Sequence, residues 1–162
     1  MCKGHRIGLD TAIYPQIDMK IATTMPEIRA CYPAIHELRP HISEARFFEY
    51  VQIHKDYRLA CTLDAGSVVA VAGFRIADSL SWGRYLYVED LVTLASHRSC
   101  GHGAELLIWL KGYAATEGCA QLHLDSGIQR IDAHRFYERE SMIKTGFHFA
   151  TGILPDETAH HR

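Results

Sequence analysis

The chain has 162 residues, enough for one domain with a sizeable core, and its 48% apolar and 22% charged residues are typical of a globular protein. Its formal net charge of −2 argues against a protein that binds nucleic acid or acidic membrane through a basic surface. No charged segment followed by an apolar run opens the chain, and no apolar run approaches the length of a membrane span, so we expect a cytoplasmic protein.

The first third of the chain predicts one strand and two helices. Residues 17–22 alternate apolar and polar, as a strand does. A helix follows, with Thr24 as its cap and Pro26 in its first turn, and Pro33 inside it predicts a kink or a break. Residues 43–57 predict a second amphipathic helix. Residues 1–16 show no periodicity and are taken as an unassigned N-terminal extension.

Two strands at residues 58–63 and 68–76, joined by a turn at Asp64–Ser67, predict a hairpin. A further strand at 85–94 is apolar, β-branched and aromatic, so it is expected to be mostly buried. It leads through a glycine-containing loop to an amphipathic helix at 104–117.

The remaining elements are a strand at 121–125, a helix near 131–140 and a last strand at 144–150. The order of these strands and helices predicts a protein with both element types in one mixed sheet, that is, an α/β fold in the broad sense and α+β in the narrow one. Its mixed sheet would have an antiparallel front half and a parallel strand–helix–strand unit in the middle. Residues 17–154 are therefore expected to form a single domain, followed by a tail at 155–162.

The loop in that unit has the form Arg98-x-x-Gly101-x-Gly103. A helix N-terminus offers unpaired N–H groups and a positive dipole end, and glycines let an anion approach the backbone. A Walker A loop is excluded because Ala104 follows Gly103, and a dinucleotide fingerprint is excluded because Leu106 replaces its third glycine.

Metal binding is the less favoured interpretation of this loop. His97 and His102 are five residues apart, which gives little support to a metal site, and we predict that both are solvated loop histidines. No pair of cysteines has C-x-x-C spacing, so a structural zinc site is not expected either. We therefore expect no metal site.

Arg-x-x-Gly-x-Gly after a strand carrying Glu-Asp resembles the acetyl-CoA loop of the GCN5-related N-acetyltransferases. A second stretch resembles the C-terminal Asn-x-x-Ala-x-x-Phe-Tyr pattern of the same family, with Arg130, Ala133, Phe136 and Tyr137 at its positions. Arg130 replaces the usual asparagine, which puts the local hydrogen bonding there in doubt. Two partial motifs at the right distance and in the right context are more specific than either alone.

The resemblance implies a central mixed sheet of six to seven strands flanked by about four helices, with acetyl-CoA as co-substrate. The main chain of one strand would pair with the pantetheine arm, as a peptide adds to a sheet edge. The expected acetyl-CoA contacts are Leu91, Val92, Thr93, Arg98, Ser99, Cys100, Gly101, His102, Gly103, Ala104, Arg130 and Ala133.

An amine acceptor must lose a proton before it attacks the thioester, so the site needs a base. Strict alternation places Tyr87, Glu89, Leu91 and Thr93 on one strand face and Asp90 on the other, which makes Glu89 the better candidate. This strand is also similar to that of spermidine/spermine acetyltransferases, where a glutamate is the proposed base. Alternatively, Glu89 forms an ion pair or only binds the amine.

Four further residues complete the predicted site. Tyr87 would shape the amine pocket, and Asp125 and Ser126 would bind the amine. Tyr137 lies where the family places a tyrosine near the sulfur, so the resemblance implies that it donates to the departing thiolate; alternatively, it is a core tyrosine.

Two classes of function are weighed: an N-acetyltransferase acting on a primary amine, and a non-catalytic acetyl-CoA-binding sensor or partner subunit. The presence of both Glu89 and Tyr137 favours the enzyme. The acceptor is expected to be a small-molecule, peptide or protein amine, without a nucleic-acid or membrane partner. A homodimer is left open.

Overall fold

The computed structural model describes residues 18–153. They fall into two compact units, one ending at Leu124 and the other beginning at Asp125. The strands are β1 (Asp18–Ile21), β2 (Arg58–Asp64), β3 (Ser67–Ser79), β4 (Gly83–Thr93) and β5 (Gln121–Leu124). The helices are α1 (Met25–Leu38), α2 (Glu44–Ile53), α3 (His102–Thr116) and α4 (Ile131–Arg139), with a 3-10 turn at Ala95–His97.

The first unit is built on one sheet with the strand order β1-β2-β3-β4-β5. The first four strands pair antiparallel, and β5 pairs parallel with β4 after the crossover through α3. The predicted mixed sheet is therefore confirmed. The sheet has five strands in the described part of the chain, fewer than the six to seven expected.

Helices cover both faces of this sheet, because β2 and β3 alternate apolar side chains between two separate clusters. The cluster of α1 and α2 includes Ile35, Phe47, Tyr57, Cys61 and Val71. The cluster of α3 includes Ala60, Ala72, Phe74, Val88 and Leu110. Since neighbours such as Ala60 and Cys61 belong to different clusters, the two clusters lie on opposite sides of the sheet.

Helix α1 begins as predicted and does not break at Pro33, where a kink or a break was predicted. Glu27 in its first turn accepts from the amide of Thr24 at 2.9 Å, which is half of a capping box. Pro33 lies inside the helix, yet the helix continues to Leu38. Cys31 and Ile35 are buried on either side of the proline, so packing holds the helix together despite the missing hydrogen bond.

The second unit contains α4 and the segment that follows it. The strand predicted at residues 144–150 is absent, because 142–153 form no regular element. The side chains of Phe147 and Phe149 are 84% and 89% exposed. Alternation is only a local signal, and a strand also requires a pairing partner. Across residues 18–153, no helix combines the length and apolar character needed to cross a bilayer.

Candidate active site

A β-bulge in the middle of β4 sets the geometry of the site. Phe74 of β3 lies opposite Val88, while the preceding Gly73 lies opposite Asp90, so Glu89 is the additional residue. A bulge interrupts the alternation of side chains along a strand. Glu89 and Asp90 consequently lie on the same side of the sheet, the side of α1 and α2.

The contacts of Asp90 and Leu91 show that the alternation of side chains is shifted after the bulge. Asp90 accepts hydrogen bonds from Tyr57 and Arg39, which belong to the α1–α2 side. Leu91 instead packs with the α3 cluster. The predictions that Asp90 faces away from Glu89 and that Leu91 shares the face of Glu89 are therefore wrong, because sequence alternation does not reveal a bulge.

The two neighbouring carboxylates have different surroundings. Asp90 is nearly buried, and each of its oxygens accepts one bond, from Arg39 Nε at 2.7 Å and from Tyr57 Oη at 2.8 Å. Burial and the charge of Asp90 raise the pKa of Tyr57, which keeps its hydroxyl protonated as a donor. Both oxygens of Asp90 are thus engaged by protein side chains, which indicates a structural role.

Glu89 is more accessible, with 27% of its side chain exposed. Its Oε1 accepts from Arg75 Nε, and its Oε2 accepts no hydrogen bond within residues 18–153. One carboxylate oxygen of Glu89 is therefore fixed, and the other is available to a ligand.

Arg75 of β3 connects this carboxylate to α2 and the loop after it. It donates to Glu89, to Asp56 and, at 2.6 Å, to Tyr50 Oη. Its guanidinium holds the pKa of Asp56 below the usual range. Sequence reasoning missed Arg75, although a lone charge in the apolar run at 68–76 is itself a signal, since a charged residue in a buried strand needs a partner.

Gly73 makes room for the ring that supports the bulge. A Cβ added there would lie 1.8 Å from Tyr57 Oη and 2.4 Å from its Cζ. We expect Gly73→Ala to push the ring off Asp90 and to lower the free energy of unfolding by about 1–3 kcal/mol, the usual cost of overpacking. Urea unfolding followed by circular dichroism measures this.

The matched control is Gly112→Ala on α3, where an added Cβ meets no atom within 4 Å. Alanine is the better helix former, so this variant should gain roughly 0.5–1 kcal/mol. A Gly73→Ala protein that unfolds at the wild-type urea concentration would contradict the packing described for Tyr57.

The second half of β4 has one edge that no described strand covers. Parallel pairing with β5 covers only Tyr85–Val88, whereas pairing with β3 continues to Thr93. Beyond Val88, none of the described strands pairs with β4 on its β5 side. Leu94 donates its amide to Val69 on β3, so by the alternation of antiparallel pairs the main chain of Val92 also faces β3, while that of Leu91 and Thr93 faces the other side. An added extended strand or ligand pairs with groups of this kind.

The loop after β4 begins with the 3-10 turn and ends at Gly101, the residue that caps α3. Ser99 and Gly101 have positive φ values of 62° and 93°. Helix α3 starts at His102, two residues earlier than predicted, so Gly103 belongs to its first turn. Glu105 donates its amide to the Gly101 carbonyl at 3.0 Å, and the amides before it have no carbonyl within the helix to bond. Unpaired amides at a helix N-terminus can receive an anion, and we therefore call these groups the anion-binding end of α3.

Arg98 is tied to the end of β4 and to α1. Its Nε donates to the Thr93 carbonyl at 3.3 Å, and its Nη2 lies 3.6 Å from Glu37 Oε2. Glu37 also accepts from the amide of Ala95 at 2.9 Å. The Arg98 side chain remains 61% exposed, so its charge is accessible beside the loop.

His102 is not the solvated loop residue that was predicted. It is only 7% exposed, with Nε2 4.0 Å from Asp64 Oδ2 and Nδ1 3.9 Å from Glu105 Oε2. Because α3 begins at this residue, its side chain turns inward, and only its amide faces the anion-binding end. The described residues contain no cluster of three or more His, Cys, Asp or Glu suited to a metal ion.

The second unit holds the remaining predicted site residues. Arg130 stands at the cap position of α4 and makes no side-chain cap bond, since a guanidinium cannot accept hydrogen bonds. His134 Nε2 lies 3.0 Å from the Gly127 carbonyl, and Arg130 donates its amide to the same oxygen at 2.9 Å. Ala133 lies in the first turn of α4.

Tyr137 is half-buried in α4, next to Phe136, with the ring centroids 5.3 Å apart. Burial raises the pKa of Tyr137, and the nearby charge of Arg130 opposes this shift. Its hydroxyl makes no hydrogen bond to any residue in the range 18–153, so it is a donor available to a ligand.

The two predicted amine-binding residues of this unit, Asp125 and Ser126, differ in their polar contacts. Asp125 Oδ2 lies 3.0 Å from His148 Nδ1. The hydroxyl of Ser126 is buried and has no hydrogen-bond partner within the described range.

The model of the acetyltransferase (GNAT) family matches residues 21–141 of this chain. A relative of Bacillus subtilis (strain 168) that carries the name uncharacterized N-acetyltransferase YhdJ is 34% identical over 124 residues, which are 75% of this chain and 87% of the relative. The aminoalkylphosphonate N-acetyltransferase of Salmonella typhimurium (strain LT2) is 33% identical over 98 residues, 60% of this chain and 62% of that protein.

Solved structures share the fold at lower identity. The aminoglycoside N-acetyltransferase AAC(6')-Iy in complex with CoA superposes with a TM-score of 0.72 at 14% identity, covering 87% of this chain and 99% of that one. An acetyltransferase structure from Agrobacterium tumefaciens str. C58 gives a TM-score of 0.69 at 23% identity, covering 83% and 100% of the two chains.

Proposed function

The chain belongs to the acetyltransferase (GNAT) family, and from this premise we propose that it transfers acetyl to a primary amine that attacks the thioester directly. That it is an acyltransferase using acetyl-CoA follows from the family. The observation that carries the proposal is the half-paired β4: among the described strands none pairs with its edge beyond Val88, next to Glu89 and ahead of the anion-binding end of α3.

On this proposal the first unit binds acetyl-CoA through its main chain. The amides of Ser99–Ala104 receive the pyrophosphate, with Arg98 adding a charge. The main chain of Leu91 and Thr93 pairs with the amides of the pantetheine arm. Both sets of contacts use backbone groups, so the apolar side chains of β4 remain free to pack in the core.

Glu89 is proposed to take the amine proton, directly or through water, with its unbonded oxygen. A lysine-like amine has a pKa of about 10 and is mostly protonated at neutral pH, so attack depends on this step. Tyr137 is proposed to donate a hydrogen bond to the departing thiolate. Tyr87, Asp125 and Ser126 are proposed to contact the acceptor, and Arg130 and Ala133 to contact CoA.

The acceptor is proposed to be a small-molecule amine. The relative from Salmonella that carries the name aminoalkylphosphonate N-acetyltransferase supports this class. The test is to incubate the protein with acetyl-CoA and a panel of amines, to follow thiol release with a dye, and to identify acetylated product by mass spectrometry. Thiol release that no amine increases above simple hydrolysis would contradict the proposal.

Glu89→Gln should lower kcat by about 10²–10⁴-fold at neutral pH, the usual contribution of one positioned base. The amide oxygen of Gln can still accept a hydrogen bond from Arg75, so the position of the side chain is largely conserved although the ion pair is lost. Activity should recover in part as the pH rises toward the amine pKa. The measurement is kcat and KM against pH for both proteins.

Asp90→Asn is the control, because it changes the adjacent carboxylate, which Arg39 and Tyr57 already occupy. It should reduce stability without changing the shape of the pH profile. A Glu89→Gln protein with raised KM and unaltered kcat would mean that Glu89 binds the amine and does not deprotonate it.

A further inference from the structure

Three aromatic rings form a corner at the beginning of β4 and β5, which we call the aromatic corner: Trp82, Tyr85 and His123. The Trp82 and His123 rings are stacked, with centroids 4.1 Å apart and planes 23° from parallel. Tyr85 stands edge-on to both, at 5.2 Å from Trp82 and 5.6 Å from His123. Such geometry holds the rings in fixed orientations.

Core packing does not account for this corner. None of its three residues belongs to either core cluster in the described part of the chain. Trp82 is 42% exposed, and Tyr85 and His123 are partly exposed. Rings fixed in place and open to solvent are typical of surfaces that bind a ligand.

The aromatic corner is continuous with the proposed amine site. Leu86 and Val88 point to the α3 cluster, so Tyr85, Tyr87 and Glu89 lie on the opposite side of β4. His123 lies opposite Tyr87 in the parallel pair and shares its side. From Glu89 to Tyr85 the strand covers roughly 13 Å at about 3.3 Å per residue, with Tyr87 between them.

The charges at the Glu89 end favour a cation. The carboxylates of Glu89 and Asp56 share the single guanidinium of Arg75, which leaves this group with a net charge of −1. The adjacent pair of Arg39 and Asp90 is balanced. An ammonium group at the open oxygen of Glu89 would neutralise this excess negative charge. An acceptor that carries an anionic group in addition to its ammonium would not.

We propose that the acceptor is an arylalkylamine, with its amine at Glu89 and its aromatic ring over Tyr87 against the aromatic corner. The inference rests on the proposed function, because it assigns the acceptor of that same site. A bicyclic ring on a short tether reaches further toward Trp82 than a single ring does. The order of preference is therefore tryptamine, then 2-phenylethylamine, then hexylamine, which matches them in charge but has no ring.

The first experiment measures kcat/KM for these three amines and for 2-aminoethylphosphonate with the wild-type protein. Tryptamine should exceed hexylamine by roughly tenfold, the scale of one added aromatic contact with its buried area. Trp82→Ala should remove this advantage through KM, and Trp82→Phe should restore most of it. Equal values for all amines, or a preference for the aminophosphonate, would overturn the proposal.

The second experiment detects binding without turnover. Trp82 and Trp109 are the two tryptophans of the chain, so Trp109→Phe leaves Trp82 as the fluorescent reporter. With CoA present, 2-phenylethylamine should quench its emission, and hexylamine at the same concentration should not. If 2-phenylethylamine quenches the emission selectively but no amine increases thiol release, only the proposed function is contradicted. If thiol release occurs but quenching does not depend on the ring, the assignment of an arylalkylamine acceptor is overturned.

Discussion

Gly101→Asp is expected to weaken acetyl-CoA binding by about a hundredfold or more, from the micromolar range toward the limit of calorimetry. The new carboxylate would stand at the cap of α3, where the proposed pyrophosphate meets the helix amides. Two like charges about 4 Å apart repel by roughly 4 kcal/mol at the effective dielectric of a protein surface, before screening by salt. Isothermal titration with acetyl-CoA measures the loss.

Backbone strain has to be separated from charge in this variant. Gly101 has φ of 93°, which costs any other residue about 1–2 kcal/mol, although asparagine and aspartate tolerate it best. Space is not limiting, because the nearest atom to an added Cβ is Glu105 Oε1 at 3.8 Å. Gly101→Asn has the same shape and strain without the charge, so it should retain much more affinity than Gly101→Asp.

A second position repeats the test without strain. Gly103 lies inside the first turn of α3, where the backbone is helical and any residue fits the dihedral angles. Gly103→Asp should therefore lose affinity mainly through its charge. If either aspartate variant is folded by circular dichroism and binds acetyl-CoA as the wild type does, the loop does not hold the pyrophosphate.

Most of the first unit could be predicted because its signals are local. The turn at Asp64–Ser67, the cap at Thr24 and the apolar periods of α1 and α3 each depend on neighbours in the chain. The loop could also be placed, since glycines after a strand and before a helix restrict the backbone in a known way.

The details of the site depend on contacts distant in sequence, and these could not be predicted. The bulge at Glu89 exists because β3 and β4 pair with a register shift, which Gly73 and the ring of Tyr57 accommodate. Tyr57 was predicted to end a helix, yet it lies beyond α2 and bonds Asp90 across the fold. The ion pair of Arg75 and Glu89 likewise joins two strands.

The bulge also changes what the site can do. Strict alternation would have separated Glu89 from Asp90, leaving one carboxylate on each face of the sheet. With both on one face, Asp90 anchors Arg39 and Tyr57 while Glu89 keeps an open oxygen. The same strand thus supplies a structural carboxylate and a candidate catalytic carboxylate in consecutive positions.

Tyr137→Phe is expected to lower kcat by about 10²–10⁴-fold, the usual span for one positioned acid or donor, with little change in folding or CoA affinity. The variant keeps the ring beside Phe136 and removes only a hydroxyl that bonds to none of residues 18–153. A full proton transfer from a phenol to a thiolate is uphill, since tyrosine has the higher reference pKa. We therefore expect a hydrogen bond to the developing charge to account for most of the effect.

The pH dependence distinguishes this role from packing. Burial raises the pKa of Tyr137 above the ordinary tyrosine value of about 10, so the hydroxyl remains protonated while the amine titrates. Ionisation of Tyr137 should therefore not reduce the wild-type kcat at any pH below 10. The plot of kcat against pH for Tyr137→Phe should have the same shape as that of the wild type, at lower values. Tyr113→Phe on α3, which removes a hydroxyl bonded to Arg58, is the matched control and should keep the wild-type kcat. If Tyr137→Phe turns over a good acceptor as fast as this control does, the tyrosine only packs, and water or another residue must protonate the thiolate.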